Sequence, residues 1–369
     1  MGHTLYSYQK WNEWVLEEGD CRWVNSNEFP SSFLEGASFS GMSSLVDGQP
    51  NHVGFYFSGE YRSELSGTKV GLLITSDRFL DDVRQAAPTL FSRAVIWSVR
   101  DPAKVMLKLC RVVARAESTV SHLALPESSQ IHPSAVIPSS VVLGQNIEIG
   151  AGVVLSEGVQ IASGVRIYPG CFVGPNVSIG EGTVLFPNVT IYELVSMGAR
   201  CRIHSGTVIG TDGFGYIPCR DPNLVGPVIH QKIYHLGLVR IGDDVEIGAG
   251  CTVDRATLGV TEIGSGTKID NQVHVGHNCK IGRSVIICGA SVFAGGVVVE
   301  DEVMIGGLCG FDNRITIGRG ALVGGGSIVT NDVAAGTQVA GNPHQLKRDY
   351  LRSNAVLRRL SKSGKSTRK

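Results

Sequence analysis

The chain has 369 residues, 43% of them hydrophobic, with 47 glycines and equal numbers of acidic and basic side chains. That apolar content suffices for two or three domains of about 150 residues each. Its nine cysteines, none in CxxC spacing, exclude a cysteine-built zinc site and fit a reducing cytoplasm better than a disulfide framework. No basic-then-apolar leader and no run of about 18 apolar residues occurs, so neither a signal peptide nor a transmembrane segment is expected. No nucleic-acid partner is expected either.

Residues 1–105 are expected to form an α/β domain. Trp11, Trp14, Val15 and Leu16 suggest a short amphipathic helix. Phe55-Tyr56-Phe57-Ser58-Gly59-Glu60-Tyr61 reads as an aromatic-dense strand and turn. VGLLIT from Val70 to Thr75 and AVIWS from Ala94 to Ser98 read as buried strands. Asp101 as N-cap and Pro102 at the first helical position open a helix to about Arg115. Its apolar face carries Val105, Met106, Leu109, Val112 and Val113. Residues 106–130, most of that helix and a polar stretch, are expected to link this domain to a second one.

From Ile131 an apolar residue recurs every six positions without a miss: Ile137, Leu143, Ile149, Leu155, Ile161, Ile167, Val173, Ile179, Leu185, Ile191, Met197, Ile203 and Ile209. A hexapeptide period is that of a parallel β-helix, in which three flat sides make a triangular coil of about 18 residues. Two residues before the beat sits a small or β-branched residue, as at Ala135, Val141, Val153, Cys171, Val177, Thr183 and Cys201. Cys251, Cys279 and Cys309 occupy the same inward slot, where a thiol acts as a compact apolar group. Glycine follows the beat at Gly144, Gly150, Gly174, Gly180 and Gly210, where it is expected to relax the turn.

The period breaks twice. After Ile209, Thr211-Asp212-Gly213-Phe214-Gly215-Tyr216 open an irregular stretch to about Leu236, and a long insertion in a solenoid usually marks its functional face. The beat returns at Ile241, Ile247 and Val253, slips through Gly259, and restarts four residues out of phase at Ile263. It then runs to Val329, for roughly ten coils and about 45 Å of prism. The β-helix is assigned to residues 131–342, and Pro343 ends it. Leu346, Tyr350, Leu351, Val356, Leu357 and Leu360 then suggest an amphipathic helix within a basic segment, 343–369. From Gln345 to Lys369 nine basic residues face one acidic one, so this segment carries +8 and the rest of the chain −8. Such asymmetry suggests an acidic partner. A prism has few ways to make a pocket alone, so a homotrimer with sites between subunits is expected.

The densest polar cluster inside the beat is Asp270-Asn271-Gln272-Val273-His274-Val275-Gly276-His277-Asn278. One coil of about 18 residues beyond His277 lies Gly295, and one further lies Asn313, beside Arg314. A histidine base, an open backbone N–H and a cation stacked on one face suit acyl transfer. His274 and His277 also invite a metal reading. Residues three apart on one strand point to opposite faces, however, and only His204, His230 and His235 are near enough to supply a third ligand. No metal site is therefore assigned. The open readings are an acyl- or acetyltransferase, and a metal-binding or non-enzymatic trimer of the carbonic-anhydrase type.

Four segments carry a more specific resemblance: Phe55 to Tyr61, VIGTDGFGYIP from Val208 to Pro218, VEIGAGCTVDRATL from Val245 to Leu258, and DNQVHVGHN from Asp270 to Asn278. Through them the chain resembles the UDP-3-O-(3-hydroxyacyl)glucosamine N-acyltransferases of bacterial lipid A synthesis, from about residue 30 to 345. The resemblance implies a left-handed parallel β-helix of hexapeptide repeats with an N-terminal α/β domain and a C-terminal helix. It implies no permanently bound cofactor; the acyl group arrives on the phosphopantetheine of acyl carrier protein and passes to the 2-amino group of a nucleotide-sugar. His277 would then be the catalytic base, and Gly295 would offer its N–H to the oxyanion. Phe55, Ser58 and Tyr61 would hold uracil. Asp270, Asn271, His274 and Arg314 would meet the sugar and its phosphates or orient His277, and Ile328 would border the acyl groove. Arg352, Arg358, Arg359 and Lys362 would receive the acidic carrier protein. Two positions depart from the family pattern. Ser58 stands where asparagine is usual, and Arg314 replaces a histidine 37 residues past His277. A diverged enzyme acting on another nucleotide-sugar is the alternative these departures suggest.

Overall fold

The computed structural model describes residues 6–16, 21–25, 37–39, 41–116, 128–219 and 228–363, which fall in two compact units, 1–124 and 125–369. The connector at 117–127, the tail beyond 363 and the side chains of Trp14, Leu16, Val113 and Lys362 lie outside the described residues.

In the first unit a five-stranded sheet runs in the order Cys21–Trp23, Val95–Val99, Leu72–Thr75, His52–Phe55, Gly41–Met42. The first pair is antiparallel and the others are parallel. Every residue of Leu72–Thr75 and Val95–Val99 is buried. These continuous apolar runs need cover on both faces. Trp11, Val15, Val105 and Leu109 pack on one face, and Tyr56, Leu65, Val83 and Leu90 on the other. Asp101 caps the helix Pro102–Ala116, its Oδ1 accepting from the N–H groups of Ala103 and Lys104 at 3.1 Å each. Leu109 is wholly buried in the first core, so the helix Pro102–Ala116 packs within the first unit.

The second unit is a left-handed parallel β-helix of three sheets, with 12, 9 and 9 strands. Most strands are two residues long, one side chain out and one in. The inward residues of the beat from Ile149 onward form one continuous core. Coil-to-coil spacing is 18 residues, as between Thr183 and Cys201. It rises to 44 across the Thr211 insertion, from Thr207 to Cys251, and to 22 at the slip, from Arg240 to Glu262. Inward hydroxyls are satisfied by the backbone: Thr207 Oγ1 donates to Gly248 O at 2.7 Å and accepts from Cys251 N–H at 3.2 Å.

Of the five glycines named after the beat, Gly210 (φ 96) has the positive φ expected of a turn glycine, and the other four do a different job. Gly144, Gly150, Gly174 and Gly180 do not have positive φ; the left-handed residue comes two positions later, as at Gly152 (φ 66) and Asn176 (φ 56). What requires glycine after the beat is close approach, since a Cβ on Gly144 would lie 2.4 Å from Ser163 N in the next coil. Past Val329 the strand Gln338–Ala340 still pairs in parallel with Leu322–Val323. Gln345–Leu346 then turns back antiparallel, and the helix Lys347–Ser363 comes after it.

Candidate acyl-transfer site

His277 lies in the turn after the strand His274–Val275. Its Nδ1 is 3.1 Å from Asn278 Oδ1 and 3.4 Å from Thr257 Oγ1. Asn278 is itself fixed: its Nδ2 donates to Leu258 O at 2.8 Å, and its Oδ1 accepts Thr257 N–H at 3.0 Å. An amide oxygen can only accept, so Nδ1 of neutral His277 carries the proton and Nε2 keeps its lone pair. That Nε2 faces the next coil, where a Cβ on Gly295 would stand 2.5 Å from it. The Gly295 carbonyl accepts Arg314 N–H at 3.1 Å, and among the described residues its own N–H has no acceptor.

His277, Gly295, Asn313 and Arg314 thus line one cavity of about 680 Å³, with Thr257 and Leu258. The coil arithmetic brought these four together. The insertion closes on the same histidine: a Cβ on Gly213 would lie 2.8 Å from His277 and 2.7 Å from His235 Nε2. The His235 ring meets His277 edge-on at 5.2 Å. Phe214 is 89% exposed, so the insertion presents an aromatic to whatever enters. Its base is anchored by buried Arg255, which donates to Gly210 O at 2.8 Å and to Glu193 Oε1 at 2.7 Å.

His274 sits differently from the expectation. The strand ends at Val275, so strand alternation no longer relates the two histidines, and both feel one buried carboxylate, Asp254. His274 Nε2 is 3.7 Å from Asp254 Oδ2, and its Nδ1 is 2.7 Å from Thr252 Oγ1. Burial pushes the Asp254 carboxyl above the ordinary carboxylate range, against the opposing pull of Thr211 and the three histidines. Sequence reasoning passed over Asp254 and Thr257, and weighed His235 only as a possible metal ligand. The first two stand in the VEIGAGCTVDRATL run, and the 22-residue coil, which sets Thr252 beside His274, was the signal available for them. Among the described residues no group of three His, Cys, Asp or Glu side chains is placed to hold a metal ion.

Asp270 and Asn271 lie at another corner, after the strand Lys268–Ile269. There Asp270 accepts Gly289 N–H at 3.0 Å and Asn271 N–H at 2.7 Å, while Asn271 Oδ1 accepts Ala249 N–H at 2.7 Å. They do not orient His277; its ring is held by Asn278 and Thr257 because those side chains share its corner. Ile328 stands in the outward column His274–Val292–Gly310–Ile328. Arg352, Arg358 and Arg359 are exposed on the C-terminal helix.

In the first unit Phe55 and Tyr61 line a cavity of about 440 Å³ with Phe57, Leu45, Met106 and Glu64. Ser58 caps the local turn instead, its Oγ accepting Glu60 N–H at 3.4 Å.

No protein-family model matches the sequence. Curated relatives do. The chain is 34% identical to the UDP-3-O-acylglucosamine N-acyltransferase of Polynucleobacter asymbioticus over 69% of each chain. It is 45% identical to that of Polynucleobacter necessarius over 72% of each, and 46% identical to that of Shewanella denitrificans over 70% of this chain and 69% of that one. Among solved structures, the UDP-N-acetylglucosamine acyltransferase of Arabidopsis is similar at a TM-score of 0.52 and 28% identity, over 61% of this chain and 77% of that one. Identity of that extent over more than two thirds of each chain makes the chain a member of the UDP-3-O-acylglucosamine N-acyltransferase family.

Proposed function

We propose that the chain transfers a 3-hydroxyacyl group from the thioester of acyl carrier protein to the 2-amino group of UDP-3-O-acylglucosamine, as a homotrimer, in lipid A biosynthesis. The observation that carries this reading is that His277 Nε2, its lone pair free, lies beside Gly295 of the next coil, whose N–H has no acceptor among the described residues. His277 Nε2 takes a proton from the amine as nitrogen attacks the thioester carbonyl. The new oxyanion meets the Gly295 N–H. Collapse expels the phosphopantetheine sulfur, which recovers the proton from His277, leaving an amide and a free thiol.

The remaining features take parts consistent with this chemistry. The Phe55–Tyr61 cavity accepts the uracil, and Arg314 faces the diphosphate, for which a guanidinium is well shaped. Val292, Gly310 and Ile328 give the acyl chain an apolar track away from His274. Asp270 and Asn271, at a different corner, would reach a sugar at His277 only from a neighbouring copy, which favours a trimer. The apolar face of the C-terminal helix, with Leu351 and Leu360 56% and 60% exposed, also favours association.

Replacing His277 by alanine is expected to lower turnover at least ~10²-fold, the scale of a lost general base, with the circular dichroism spectrum unchanged. Turnover near wild type would overturn the assignment. Ser58 and Arg314 favour a second reading, an acceptor other than UDP-3-O-acylglucosamine. A panel of nucleotide-sugars offered with acyl carrier protein or coenzyme A thioesters separates the two.

A further inference from the structure

We infer that Asp254 is a positioning residue of this site: its buried carboxylate holds His274 and supplies the negative charge against which His277 becomes an imidazolium during acyl transfer. The inference rests on His277 acting as the base and deepens that reading.

Asp254 is only 7% exposed, on the strand Thr252–Asp254 one coil before His274–Val275. Among the described residues its one direct hydrogen bond is from Thr211 Oγ1 at 2.9 Å, at the root of the insertion, and His274 Nε2 lies 3.7 Å from its other oxygen. A buried carboxylate with so little direct compensation is a cost to the fold. An asparagine could keep the Thr211 bond without that cost. What asparagine would not supply is a charge, and the imidazoles placed to feel one include His274, whose Nε2 is 3.7 Å away, and His277, in the turn just after the strand that pairs with Thr252–Val253.

Other charged groups around His277 are already engaged or lie farther along the face. From the insertion, Asp212 pairs with Lys232 at 2.5 Å. From the preceding coil, Arg255 pairs with Glu193 at 2.7 Å. Arg314 stands two coils on, in the cavity that His277 lines. His235, 3% exposed, has a buried Nε2 without a hydrogen-bond partner among the described residues, packed against Gly213. A carboxylate in such surroundings favours the protonated form of a nearby imidazole and raises its pKa.

The test is Asp254→Asn in the full-length enzyme, with kcat/KM measured against pH. The acid limb reports the base of the free enzyme. Removing the carboxylate should move that limb to lower pH by about one unit and cut the plateau roughly tenfold. Asp254→Glu should restore the limb at least partly. The His277 Cε1–H resonance, titrated by NMR in wild type and Asp254→Asn, should shift its midpoint in the same direction without any turnover assay. An unmoved limb and an unmoved His277 titration would overturn the inference. So would a lost plateau with an unmoved limb and a lower thermal midpoint, because that is the signature of a merely structural residue. If His277→Ala retains full turnover, the base reading itself falls, and the NMR titration still decides whether Asp254 sets the charge of His277.

Discussion

Gly295 shows how narrowly the residue scale constrains the site. A methyl group there would lie 2.5 Å from His277 Nε2, in the space where substrate nitrogen and oxyanion must meet. Gly295→Ala keeps the N–H but fills that space, and is therefore expected to reduce kcat by about 10²-fold, while the urea midpoint hardly changes. A variant with full activity would show that the reacting atoms do not meet there. Asp254 makes a complementary statement about stability. Its carboxyl is raised by burial, so the folded state holds that proton more tightly than the unfolded chain does. Its favourable contribution is complete below the ordinary carboxylate pKa and is lost as pH rises through the folded-state value. Asp254→Asn should consequently be at least as stable as wild type near neutrality, and its thermal midpoint should vary less as pH rises above the ordinary carboxylate pKa. His277 and Gly295 were legible in the sequence because the period counts residues. Asp254 was not, because the 22-residue coil shifts the count just where that residue would have been found.

At the scale of elements, each hexad side contributes two residues of strand and little else, so its stability comes from the inward column. Phe293 and Phe311 stack in neighbouring coils with ring centroids 4.5 Å apart and planes 4° from parallel. Both are almost wholly buried. Phe293→Ala should cost about 3–5 kcal/mol, measured by urea unfolding, because it opens a cavity between coils that cannot collapse independently. Two residues further on, the same strand's turn carries Gly295, so activity should fall along with stability. The beat made this column readable, since an aliphatic or aromatic every six residues leaves one geometric solution. The same beat misled about glycine. Sequence position suggests a turn relaxer, whereas the coils touch there and the left-handed residue lies two positions on. The helix Pro102–Ala116 was likewise legible as a helix, with its Asp101 cap, but its allegiance depended on where Leu109 is buried.

For the whole molecule, charge separates along the chain: a +8 segment from Gln345 succeeds a body of −8. Arg352, Arg358 and Arg359 are exposed on the final helix, as a surface that steers an acidic protein requires. Neutralising Arg358, Arg359 and Lys362 together should raise KM for acyl carrier protein several-fold and flatten its dependence on ionic strength, with kcat little changed. An unaltered KM would remove the tail from the docking surface. The sequence by itself determined the β-helix, its coil length, both interruptions and the stacking of Gly295 and Arg314 over His277. A strict period converts residue number directly into position. Only the tertiary structure decided which side chains orient the histidine, that Asp270 and Asn271 occupy another corner, and that Asp254 lies buried beneath the histidines. Those facts depend on the turn after each strand and on the insertion folding back. Neither can be read from the period, because both arise where the chain departs from it.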